Sequence, residues 1–134
     1  MTSDDEQLER ELADAARGLT FMSESDYPVE VVRWHDVSDV TPERLRALAG
    51  EDASAPVEEV SAERVFRAMA SEPDWKGAAE LDTARRYQKL LRLMGERLAD
   101  LKAYRVGTIN VAIYVVGRTA GGDWLGVSTR SVET

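Results

Sequence analysis

The chain has 134 residues, 43% of them hydrophobic and 31% charged, which is enough for one domain with its own core and short for two. Its 25 acidic residues against 17 basic ones leave a formal net charge of −8, which opposes direct contact with a nucleic acid backbone and favours contact with basic surfaces. Cysteine is absent, which excludes disulfides and thiolate chemistry. No apolar run reaches the ~18 residues that would span a bilayer. The acidic start has neither the basic nor the apolar region of a signal peptide, so a cytoplasmic location is expected.

Ser3 and Glu6 have capping-box spacing. Leu8, Leu12, Ala15, Ala16 and Leu19 follow on one helical face, and Gly18 suits the stop. Phe21-Met22 and Tyr27 flank the polar turn Ser23-Glu24-Ser25-Asp26. Val29 to Trp34 then reads as a strand, with Val29 and Val31 on one face and Val32 and Trp34 on the other. Apolar groups on both faces place it inside a layered fold. Pro28 belongs at a strand start or an edge.

Thr41-Pro42 reads as an N-cap followed by proline at the first helical position. Leu45, Leu48 and Ala49 form that helix's buried face, and Gly50 ends it. The aperiodic stretch Glu51–Glu59 reads as a loop. Ser61 caps a second short helix with Val65, Phe66 and Met69 inward. Trp75 sits in a loop between Pro73 and Gly77. The longest helix is predicted from about Ala79 to Leu101. Tyr87, Leu90, Leu91, Met94, Leu98 and Leu101 form its apolar stripe. Arg85, Arg86, Lys89, Arg92 and Arg97 read as a solvated face paired with nearby acids.

The end of the chain alternates strictly. Ile109, Val111, Ile113 and Val115 share one face, and Ala112, Tyr114 and Val116 the other, as in a central strand. Thr119-Ala120-Gly121-Gly122-Asp123 is a hairpin turn, and Trp124 to Val132 is the returning strand. The chain is expected to finish in its sheet, with the Thr134 carboxylate at a strand terminus. These elements predict a single α+β domain over 1–134, with helices on the faces of a mostly antiparallel sheet and the long helix in the C-terminal half.

Catalytic constellations are thin. His35 with Asp36 and Asp39 has the residue types of a base or a metal site, but the spacing supplies no nucleophile and no orienting group. Neither GxxxxGK[ST] nor GxGxxG occurs. No resident cofactor or metal is implied, and the chain reads as a non-enzyme. Three features stand apart from the core pattern: Glu24 in a tight polar turn, Trp75 in its Pro/Gly-bounded loop, and the terminal carboxylate of Thr134.

The stretch GLTFMSESDYPVEVVRW (Gly18–Trp34) resembles the nuclease A inhibitor family, whose members carry a similar Phe-Met-Ser-Glu-Ser-acid-Tyr-Pro motif. YQKLLRLM (Tyr87–Met94), YRVG and the segments through GVSTRSVET continue the likeness to Thr134. Between Asp36 and Lys76 only the Asp74-Trp75 pair matches. The resemblance implies an α/β/α three-layer sandwich that plugs the active site of a Mg²⁺-dependent, non-specific DNA/RNA endonuclease. It implies that Thr134 reaches the nuclease's metal through its carboxylate. It also implies that Glu24 lies near the same site and that the Asp74-Trp75 loop adds contact area. Pro73 stands where the family has a polar residue, which puts the Trp75 loop in question as a contact and allows a different partner nuclease. Glu133 would add negative potential beside Thr134. The partner is then a nuclease with its Mg²⁺, with no direct contact to nucleic acid or membrane. The alternative is a non-catalytic interaction domain of the same fold with another partner.

Overall fold

The computed structural model describes residues 4–21, 27–35, 37, 39–52, 54–70 and 77–132, without the side chains of residues 68 and 69. Helix α1 (Asp4–Ala16) buries Leu8, Leu12 and Ala16 on one face, the fourfold spacing that lays an amphipathic helix on a core. Ser3, its expected cap, lies outside the described residues. Asp5 is buried and accepts hydrogen bonds from Thr119 Oγ1 at 2.7 Å and Gly121 N at 3.3 Å. One carboxylate thus fastens the first helix to the last turn of the sheet.

Strands β1 (Thr20–Phe21) and β2 (Tyr27–Pro28) pair antiparallel. Strand β3 (Glu30–Trp34) follows, then α2 (Pro42–Leu48), β4 (Val57–Val60), α3 (Ala62–Ala70) and α4 (Ala78–Arg97). Strands β5 (Ala99–Val106), β6 (Asn110–Arg118) and β7 (Trp124–Val132) complete the fold. The caps predicted at Thr41 and Ser61 form: Thr41 Oγ1 accepts from Arg44 N at 3.2 Å, and Ser61 Oγ accepts from Arg64 N at 3.1 Å.

The main sheet has the order β3-β7-β6-β5-β4, and every pairing is antiparallel. The protein is therefore α+β, as its element order predicts, with β6 at the centre. Alternation along β6 divides the interior. Val111, Ile113 and Val115 join Leu8, Leu12, Phe66, Tyr87, Leu90 and Met94 in one apolar cluster. Ala112, Tyr114 and Val116 join Val40, Leu45, Tyr104 and Trp124 in another, on the opposite face. Helices α1, α3 and α4 thus serve one face, and α2 with the segment before it serves the other.

Three expectations are corrected. Val57–Val60 is a strand, not part of a loop, because its ends supply Val57 to one face and Val60 to the other while it pairs with β5. Helix α4 stops at Arg97 rather than continuing to Leu101. Leu98 is already extended, Asp100 takes a left-handed φ of 52°, and the β5–β6 register shifts between Ala99 and Lys102. Aspartate tolerates that conformation better than most residues, so helix converts to strand within three residues. Ile109 is 56% exposed and precedes β6 instead of joining its inner face. Strand β3 carries apolar groups on both faces as expected, and it lies at a sheet edge, which suits the proline just before it.

Candidate functional site

An aromatic cluster ties together the elements that flank the predicted binding residues. Phe21, Phe66 and Tyr87 come from β1, α3 and α4. The Phe21 and Phe66 rings meet edge-on at 6.1 Å, and the Phe66 and Tyr87 rings tilt together at 5.3 Å. Phe66 and Tyr87 are fully buried and Phe21 nearly so. Such contacts contribute about 0.5–1.5 kcal/mol per pair beyond the area they bury. Tyr87 donates its hydroxyl to Thr20 O at 2.6 Å. Burial pushes that hydroxyl's pKa up, so it stays a donor. Gln88 Nε2 donates to Ala70 O at 2.7 Å, which fixes the last residue of α3 against α4.

The strand framework brings a third flank to this region. Phe21 pairs with Tyr27 across β1 and β2. Thr129 Oγ1 donates to Pro28 O at 3.0 Å and lies 3.4 Å from Tyr27 O. Strand β2 therefore runs beside the last part of β7, whose final residue Val132 pairs with Asn110.

The predicted contact residues Glu24, Asp74, Trp75, Glu133 and Thr134 all lie outside the described residues. The structure supplies their neighbours in the chain: Phe21 and Tyr27 around the first segment, Ala70 and Gly77 around the second, and Val132 before the third. Sequence periodicity identifies Phe66 and Tyr87 as inward. It gives no sign that they meet Phe21. The one available clue is that a buried tyrosine needs a hydrogen-bond acceptor.

His35 and Asp39 turn to different tasks. His35 Nδ1 lies 3.0 Å from Asp123 Oδ2, and the same oxygen accepts from Arg33 Nε at 3.0 Å and Nη2 at 2.8 Å. Asp39 accepts from Val40 N at 2.8 Å and Lys102 Nζ at 3.4 Å, and these partners hold its carboxyl below the usual range. Asp36 lies outside the described residues. Among the described residues no three histidine, aspartate or glutamate side chains converge to hold a metal ion. No described helix is long and apolar enough to cross a membrane.

On the helix side of the sheet, Arg97 pairs with Glu11 at 3.0 Å, and Arg86 donates to Ala15 O at 3.3 Å and to Arg17 O. This part of the basic face of α4 serves as a clasp for α1.

No curated protein matches the chain. The family model described as nuclease A inhibitor-like protein (NuiA) matches residues 6–134, a span that takes in every element from the first turn of α1 to the end of β7. The chain belongs to the nuclease A inhibitor-like family.

Proposed function

We propose that the protein is a non-catalytic inhibitor that occupies the active site of a Mg²⁺-dependent, non-specific endonuclease. The observation that carries this reading is the family match over residues 6–134. The aromatic cluster supports it, because it ties together the flanks of the segments that hold Glu24 and Trp75.

The chemistry follows from the partner's metal. Mg²⁺ prefers hard oxygen ligands and usually keeps exchangeable water. In a nuclease it meets a phosphate oxygen. The α-carboxylate of Thr134, with a reference pKa of about 3.3–3.7, is ionised at neutral pH. It takes the phosphate's place and offers no phosphodiester to cleave. Glu24 and Glu133 add negative potential, and Asp74 and Trp75 add contact area. The net charge of −8 steers the protein toward a basic substrate groove and speeds encounter. A nanomolar complex needs about −12 kcal/mol, so one metal contact has to be joined by a surface of roughly 1,600 Å² with a few anchors.

The test is titration of a non-specific nuclease, encoded by the same organism, with the purified protein. Inhibition is expected to saturate at one protein per nuclease. Removing Thr134, or extending the chain beyond it, is expected to raise the inhibition constant at least tenfold with unchanged thermal stability. Full potency in the extended protein would sink the carboxylate–metal contact. Glu24→Gln is expected to weaken binding as well, and an unchanged constant would remove Glu24 from the interface.

A further inference from the structure

Strand β3 is an edge with usable backbone groups and a groove on each side. Its outward groups can be assigned from the hairpin at the other end of the sheet. Thr119 N donates to Asp123 O at 2.8 Å, which makes the odd-numbered residues of β7 the ones that exchange hydrogen bonds with β6. The even-numbered residues then face β3. Ser128, Gly126 and Trp124 stand opposite Glu30, Val32 and Trp34, so those three β3 residues bond inward. Val31 and Arg33 present N–H and C=O outward. The neighbouring β1 segment agrees: Val29 N, of the same parity, donates away from β7 to Leu19 O at 3.1 Å. That cover ends at Val29, and among the described residues no backbone bond takes up the outward groups of Val31 and Arg33.

The flanking grooves lie on opposite faces of this edge. One, of about 430 Å³, has Val32, Trp34, Leu48 and Tyr114 in its wall, with the Trp34 and Tyr114 rings 6.0 Å apart. The other, of about 420 Å³, runs between α1 and β3 past Ala13, Ala16 and Val31. Pro28 and Glu30 border both. A strand added to β3 would send alternate side chains into the two grooves, the arrangement by which sheet edges recognise extended peptides. The opposite edge, β4, is different: it has four residues and carries Glu58 and Glu59 exposed side by side, the kind of charge that discourages strand addition.

Charge decides the occupant. Among the described residues the β3 edge carries the carboxylates of Glu9, Glu30 and Asp123; Arg33 lies 3.6 Å from Glu9 and 2.8 Å from Asp123, where His35 Nδ1 also lies at 3.0 Å, and neither contact reaches Glu30. The two other arginines that line these grooves are paired, Arg17 with Asp14 at 2.6 Å and Arg130 with Glu51 at 3.6 Å. A second copy would bring the same negative excess against itself. We propose that β3 docks an extended, basic segment of a partner protein, pairing with Val31 and Arg33. Apolar side chains of that segment enter the Trp34–Tyr114 groove, and Lys or Arg meets Glu9 and Glu30. This surface is separate from the carboxylate–metal contact and does not depend on it.

The probe is an acetylated, amidated hexapeptide alternating valine and lysine, titrated into the ¹⁵N-labelled full chain. In the free protein the Val31 and Arg33 amides are expected to exchange with solvent at least tenfold faster than those of Val32 and Trp34. The peptide is expected to shift the Val31 and Arg33 amides and slow their exchange at least tenfold. A valine–glutamate peptide is expected to do neither. Val31→Pro removes an outward donor without touching the β7 ladder and should weaken peptide binding at least tenfold. Glu30→Gln, which leaves the backbone alone, should weaken it about threefold even if the proline variant fails to fold. No response at β3 with saturating Val/Lys peptide would overturn the proposal. An equal response to the glutamate peptide would do so too. So would protection in the free protein that grows with protein concentration, since a second copy would then own the edge.

Discussion

At the scale of single residues, the tightest constraint is Gly126, buried in β7. A Cβ there would fall inside the van der Waals envelope of the Val115 carbonyl, with Val116 Cα behind it. Backbone cannot swing aside as a side-chain tip can, so Gly126→Ala must push β6 and β7 apart. Overpacking of this kind costs about 1–3 kcal/mol. A drop of that size in urea-denaturation stability is expected, with an unchanged m-value. A variant as stable as the parent would show that the sheet yields freely at this point. Gly122 is needed for a different reason, its φ of 94° in the turn before β7. The sequence announces the second glycine through its Gly-Gly turn and hides the first, because close approach between strands leaves no local signature. Glu24, Trp75 and Thr134 stand out by departing from burial and period, and the family resemblance is what gives them a role. Their chemistry, a carboxylate and an indole outside any apolar stripe, is what made them visible.

At the scale of elements, legibility followed length and period. Strand β7 and the turn before it can be read to the residue, because two glycines mark the reversal and the strictly alternating β6 before it needs a returning partner. Strand β4 could not. Its two middle residues are adjacent glutamates, and it becomes a strand only because β5 offers it an edge. The end of α4 was hidden because Leu98 and Leu101 continue the helical spacing while pairing with β6 pulls the chain straight. The meeting of β1, α3 and α4 at Phe66 was also invisible locally, since it joins residues 21, 66 and 87. That junction makes a prediction about elements. Phe66→Ala is expected to cost about 3–5 kcal/mol, the usual range for deleting a buried ring. Phe66→Leu keeps the site filled and the protein folded. It is expected to weaken nuclease inhibition at a temperature where circular dichroism shows full folding, because the flanks of the two binding segments lose their common support. Unchanged inhibition by the leucine variant would separate the cluster from the interface.

At the scale of the whole molecule, both faces of the sheet depend on buried tyrosines. Burial pushes the Tyr104 and Tyr114 hydroxyls up to about 12, and that of Tyr87 higher still. Tyr104 donates to Val40 O at 3.2 Å, and Tyr114 donates to Glu51 Oε1 at 2.9 Å, which holds its proton further. An unfolded tyrosine loses its proton near pH 10. Below that pH both states are neutral and the contribution is complete. Between pH 10 and about 12 the unfolded chain deprotonates first, so stability falls as pH rises, by up to about 1.4 kcal/mol per pH unit for each tyrosine. Denaturation at pH 8, 10 and 11 is expected to show a flat and then a steep response. Tyr104→Phe, less stable at pH 8, is expected to show a shallower fall. A slope indifferent to that substitution would assign alkaline sensitivity to other groups.

The strand order also sets an order of assembly. Strands β5, β6 and β7 are joined by short turns and can zip together as a meander, whereas β3 finds its partner at a distance: Glu30 pairs with Ser128. Closing a loop of roughly a hundred residues costs about 4 kcal/mol of chain entropy before the pairing returns anything. Pairings of such long range are slow to form. The meander is then the part that stands first, and β3 is the strand that closes the molecule and the one that local opening would release. It would carry away with it the backbone that leads to Glu24. The comparison of Val32 and Trp34 with amides of β6 in the exchange experiment reads this directly: if β3 closes last, its inward bonds are the first to open.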